Sequence, residues 1–183
     1  MKKFCISFLT CIIIILLVVG VTLSSRGRNT EYLRIHVRAN SNEQIDQTVK
    51  YRVKDAVVSY LTPFIAECDT KQKAERMLKD NLSQIEKACD TVLNSNGFSY
   101  CARAKVCSEL FPTRSYGELV LDGGYYDALI IELGDGKGDN WWCVVYPPLC
   151  FTGNGAGYIY KSKINQVIKD FYDKYRRNYE KGH

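Results

Sequence analysis

The chain has 183 residues, 46% hydrophobic and 25% charged, which is the composition of a folded domain and excludes a disordered tail, a collagen-like repeat or a disulfide knot. That length accommodates one domain behind an export segment, and not two full domains plus an anchor. Residues 24–183 carry 23 Lys and Arg against 20 Asp and Glu, a near balance that lacks the unopposed positive charge of a nucleic-acid-binding surface, so no nucleic acid is expected as a partner.

The first element is a charge-free run. Phe4 to Leu23, with Ile12 to Val19 as its most apolar part, is 20 residues long and as a helix spans about 30 Å, the thickness of a bilayer core. Residues 1–23 therefore read as a signal peptide or an uncleaved signal anchor, and the lack of an Ala-x-Ala site before Ser24 favours the anchor. Lys2 and Lys3 ahead of the run nearly balance Arg26 and Arg28 behind it, with a slight bias towards an external C-terminal domain. Residues 24–31 form a linker.

A domain over residues 32–152 follows. Leu33, Ile35 and Val37 alternate with Arg34, His36, Arg38 and Asn40, as in a strand buried on one side. Ser41-Asn42-Glu43-Gln44 has a capping-box pattern, and Ile45, Val49, Val53, Ala56, Val57, Tyr60 and Leu61 continue at helical spacing until Pro63, which disfavours helix at Thr62. A second helix starts near Asp69 or Thr70 with Ala74, Leu78, Leu82, Ile85, Cys89, Val92 and Leu93 on one stripe, and ends at Asn96-Gly97, where glycine takes the left-handed cap.

After Gly97 the period becomes two, with Phe98, Tyr100, Ala102, Ala104 and Val106 on one face. Further strands are predicted at Tyr116–Leu121, Tyr126–Leu133 and Trp141–Tyr146, with turns at Asp122-Gly123-Gly124 and over 134–139, and their hairpin order implies antiparallel pairing. Glycines 153, 155 and 157 mark a joint over 153–158, and Ile164, Val167, Ile168, Phe171 and Tyr175 a last helix over 159–180 packing on the same domain. The fold class expected is α+β: an antiparallel sheet of about five strands with helices packed on it, behind an N-terminal membrane or signal helix.

Motifs for chemistry are sparse. In Gly134-Asp135-Gly136-Lys137-Gly138-Asp139 the lysine is followed by Gly138 and a strand, where a phosphate-binding loop needs Ser or Thr and a helix. Read as a calcium loop from Asp135, it places Lys137 at the third position and Tyr146 where a bidentate Glu belongs. A polar turn between strands is the simpler reading. His36 sits between two arginines with no nucleophile motif nearby, and acidic pairs such as Glu132 and Asp135 are too common to signify a glycosidase. No catalytic residue, cofactor or metal is assigned: there is no Cys-x-x-Cys, and the only histidines are His36 and His183.

The cysteines and tryptophans say more. If Lys71 to Ser95 is one helix, Cys89 lies about 27 Å along it and cannot bond Cys68. Cys143 and Cys150 would be about 23 Å apart on a straight strand, and reversal of the chain at Pro147-Pro148 makes them the best disulfide candidate. Trp141 and Trp142 point to opposite faces, one into the core and the other towards solvent, a partner or the last helix.

Leu33-Arg34-Ile35-His36-Val37-Arg38-Ala39-Asn40-Ser41, Phe111-Pro112-Thr113-Arg114-Ser115-Tyr116-Gly117, Gly124-Tyr125-Tyr126-Asp127-Ala128-Leu129, Gly136-Lys137-Gly138-Asp139-Asn140-Trp141-Trp142-Cys143 and Pro147-Pro148-Leu149-Cys150 together resemble the stage II sporulation protein R family, from about Tyr32 to Phe151. The resemblance implies a signalling protein and not an enzyme, exported from the forespore into the intermembrane space. There it would be anchored in a membrane or released after cleavage, and would activate a membrane-embedded aspartic protease, stage II sporulation protein GA, which cleaves the sigma factor E precursor. Arg34, His36, Arg38, Lys137, Asn140, Trp141 and Trp142 are the candidate partner contacts. The alternative is a cell-wall-associated enzyme or ligand-binding domain acting indirectly in the same space.

Overall fold

A computed structural model describes residues 12, 28–117, 119–152 and 158–181. The expected apolar span lies outside these residues apart from Ile12, as do half of the linker and most of the glycine joint; among the described residues no helix is long and apolar enough to cross a membrane. In chain order the elements are β1 (Arg28–Arg38), α1 (Gln44–Ile65), α2 (Lys71–Asp80), α3 (Leu82–Ser95), β2 (Ala102–Phe111), β3 (Arg114–Tyr116), β4 (Leu119–Leu121), β5 (Gly124–Leu133), β6 (Asn140–Tyr146), a 3-10 turn (Leu149–Phe151) and α4 (Tyr158–Lys181).

The α+β class is as expected, but the sheet differs in strand count and direction. Four strands in the order β2-β5-β1-β6 form a mixed sheet in which β1 runs parallel to β5 and antiparallel to β6, while β3 and β4 pair only with each other. The reason is that β1 lies between β5 and β6, two strands that look like a hairpin in sequence. Their connection is consequently no tight turn. It crosses the end of β1, held by Gly138 N–H donating to Ala39 O at 2.8 Å and Lys137 N–H to Asn40 O at 3.1 Å. Gly138 has no room for a side chain, because a Cβ there would run into the Ser41 carbonyl.

Asn40, Ser41 and Asn42 fasten this crossing to the start of α1. Asn40 Oδ1 accepts from Asp135 N (2.9 Å), Asn42 Oδ1 from Asp139 N (2.6 Å), and buried Lys50 of α1 donates to Asp139 O (3.0 Å). Asp46 takes hydrogen bonds from Ser41 Oγ (2.6 Å), Asn40 Nδ2 (2.9 Å) and Tyr100 Oη (2.5 Å). Burial alone would raise its pKa; these bonds outweigh burial and hold it below the ordinary carboxylate value. The capping-box expectation is corrected accordingly: Glu43 is the N-cap and makes no side-chain cap bond, and Ser41 serves Asp46.

Two helix boundaries also differ. α1 runs through Pro63 to Ile65, because proline in the last turn forfeits one helical bond while Leu61 and Ile65 on either side are completely buried. The predicted second helix breaks at Asn81, whose side chain donates to Met77 O (2.8 Å) and accepts from Tyr60 Oη (2.9 Å), diverting the backbone from helical geometry. The end of α3 is as expected: Gly97 has φ +82° and Phe98 N–H closes on Leu93 O at 3.1 Å.

The helices cover one face of the sheet. Leu33, Ile35 and Val37 of β1 and Leu129, Ile131 and Leu133 of β5 form the core with Val53, Val57, Leu61, Leu78, Ile85 and Leu93, all at or near zero exposure. Each such side chain contributes about 1.5–3 kcal/mol relative to exposure. Lys71 of α2 reaches the same face of β5 and pairs with Asp127 at 2.7 Å. α4 closes the lower edge through Phe171, whose ring lies 5.5 Å from Tyr32 and 5.9 Å from Tyr146.

Candidate functional site

The face of the sheet away from the helices carries the polar side chains of β1. Ladder pairing sets Arg34 beside Ala128 and Val144, His36 beside Ile130 and Trp142, and Arg38 beside Glu132 and Asn140. A strand with one apolar and one charged face predicts solvent on the charged side. Instead, Arg34 is 0% and His36 1% exposed. β1 is a central strand, and Phe111, Tyr126, Trp142 and the β3–β4 ribbon close over it.

A gradient runs along this strip. At its buried end the Arg34 guanidinium lies 4.3 Å from the Phe111 ring centroid, 4.9 Å from Tyr126 and 5.6 Å from Tyr116. Such contacts contribute about 0.5–2 kcal/mol each, more when desolvated. Burial lowers the Arg34 pKa, the neighbouring Tyr116 opposes it, and the group remains charged in water's ordinary range. In the middle, the His36 ring stacks on Trp142 at 3.6 Å between centroids and meets Phe111 edge-on at 5.9 Å.

His36 Nδ1 lies 2.9 Å from Glu109 Oε1, so the tautomer that suits a carboxylate carries its proton on Nδ1. Nε2 is buried without a hydrogen-bond partner among the described residues. Burial lowers the His36 pKa, and Arg38 adds to the effect, against the opposing influence of Asn140 and Glu109. At the exposed end Arg38 donates to Glu132 at 2.6 Å and also to Glu109, whose one oxygen thus serves both the imidazole and the guanidinium.

The other predicted contacts are dispersed. Trp142 belongs to the strip and is half-buried; Trp141 faces the helices, with Lys54 of α1 5.7 Å from its ring. Asn140 is exposed at the rim. Lys137, exposed on the crossing loop, pairs with Asp135 at 2.9 Å, which raises the lysine pKa and lowers the aspartate's. Glu109, Phe111, Tyr116 and Tyr126 were not among the sequence candidates. The only local signal for them was the period of two that puts Glu109 and Phe111 on one side of β2.

Cys143 and Cys150 are joined by a disulfide with Cα atoms 6.1 Å apart, and Val144 N–H points at Cys150 Sγ from 3.0 Å. Cys68 and Cys89 are buried free thiols, and burial raises Cys89 to a pKa of about 12. Among the described residues no group of His, Cys, Asp and Glu is placed to hold a metal ion.

An α+β domain whose mixed sheet buries a cation–aromatic strip on the face away from its helices is the class this architecture defines. The chain belongs to the stage II sporulation protein R family, whose model matches residues 29–155, from β1 to just past the 3-10 turn. It is 33% identical over 125 residues to stage II sporulation protein R of Bacillus subtilis (strain 168), a match covering 68% of this chain and 56% of that relative, so the chain spans little more than half of the relative's length. No solved structure matches. Membership in this family ties the protein to sporulation.

Proposed function

We propose that this protein is an exported signal of endospore formation: it leaves the forespore and activates the membrane-embedded aspartic protease stage II sporulation protein GA of the mother cell. Cleavage of the sigma factor E precursor follows. The protein acts by binding and not by catalysis, and it shifts the protease only to the extent that it binds the active state more tightly than the idle one. The observation that carries this reading is the family match over residues 29–155, which takes in the whole sheet and three of the four described helices. The largely neutralised surface around Arg38, Glu109 and Glu132 suits a protein ligand.

The test is reconstitution. Full-length chain and protease are placed in vesicles free of peptidoglycan, and precursor cleavage and direct binding are measured. Cleavage that rises with bound chain supports the proposal; an inert mixture that becomes active only when wall material is added favours the wall-directed alternative instead.

A further inference from the structure

Arg34 is a fully buried cation with no carboxylate partner among the described residues. Its Nη2 donates to the Tyr116 hydroxyl at 2.5 Å, while Nε and Nη1 have no partner among the described residues. Two described acids on this face are committed elsewhere: Glu109 serves His36 and Arg38, and Glu132 serves Arg38 and Lys105. Ring contacts with Phe111, Tyr126 and Tyr116 offset part of the cost of burying the charge, but they leave N–H donors unmatched in a dry setting.

We propose that Arg34 is a receptor for one carboxylate, supplied by an Asp or Glu side chain of a partner protein, which takes the place of the Tyr116 hydroxyl. The buried site presents one cation and calls for one negative charge; exposed Arg114, which also acts on Arg34 electrostatically, stands on the ribbon and not in the buried site, and Arg38 is already paired twice. Entry requires the Tyr116 side chain to swing aside. That residue sits on a ribbon of two three-residue strands paired only with each other, which has little stability of its own. The ribbon exposes Arg114 on the Tyr116 side and Ser115 and Val120 on the other, which gives an incoming chain both a charged and an apolar foothold.

The assignment of the carboxylate to a partner protein rests on the proposed function; the anion site itself does not. The experiment titrates full-length chain in detergent micelles, with isotope-labelled arginine, and follows the Arg34 Nε–H resonance. Sodium acetate should move it saturably and sodium chloride at equal ionic strength should not. An amidated peptide with one central Glu should bind at least about tenfold more tightly than acetate, and its Gln counterpart should lose that gain. Tyr116→Phe, which deletes only the competing hydroxyl, should tighten acetate binding severalfold, and Arg34→Lys should weaken it by about tenfold if it folds.

No saturable response to acetate or the Glu peptide overturns the site. An equal response to phosphate overturns the single-carboxylate assignment, and unchanged affinity in Tyr116→Phe overturns displacement of the hydroxyl. Acetate binding with no gain from the Glu peptide upholds the anion site and rejects the partner source, whatever the protease assay shows.

Discussion

At the scale of residues, Glu109 is the hinge of the polar strip, since one of its oxygens holds both His36 and Arg38. His36 in turn is kept neutral by burial, which lowers its pKa below the ordinary 6.5. As pH falls, the unfolded chain takes up its imidazole proton first. Stability is therefore withdrawn from about the ordinary value down to the depressed folded value, and above that window the ring is neutral in both states. Thermal melts should show the wild type losing stability as the pH falls below about 6.5, and His36→Gln losing less over the same range. Equal slopes would remove His36 as the responsible group. His183 is the only other histidine, which makes the attribution straightforward.

Among elements, the 3-10 turn is tied to β6 by the Cys143–Cys150 disulfide across a separation of seven residues. For so short a loop the entropy removed from the unfolded chain corresponds to about 2 kcal/mol. The double variant Cys143→Ala/Cys150→Ala should unfold at lower denaturant by about that amount, and reduction of the wild type should match it; a variant as stable as the wild type would mean that the bond adds nothing. The elements themselves were largely legible. Alternation in β1, β2, β5 and β6 and the glycine cap at Gly97 are local patterns that a chain segment displays without its partners. The break at Asn81 was not, because it needs Tyr60 from another helix, nor was the burial of Arg34 and His36, which depends on rings from β2, β3, β5 and β6. Charged residue types read as surface until those rings are known to cover them.

For the whole molecule the decisive feature is the insertion of β1 between β5 and β6, a non-local pairing that no window of sequence contains. The loop over β1 makes it possible, and Gly138 is its tightest point, in contact with backbone and not with a flexible side chain. Gly138→Ala should cost about 3 kcal/mol or more, measured by denaturant unfolding, because the Ser41 carbonyl cannot move without displacing Asn40 and Asn42. A variant within about 0.5 kcal/mol of the wild type would show that the crossing is plastic.

The same crossing gives the domain a direction. Chain preceding residue 28 enters the sheet at one end of β1, and the loop bearing Lys137 passes over the other, about 30 Å further along. A molecule tethered through its N terminus would therefore carry Lys137 at its far tip and Arg34 midway along its flank. Lengthening or shortening the tether would change which of the two can reach a neighbour of fixed height.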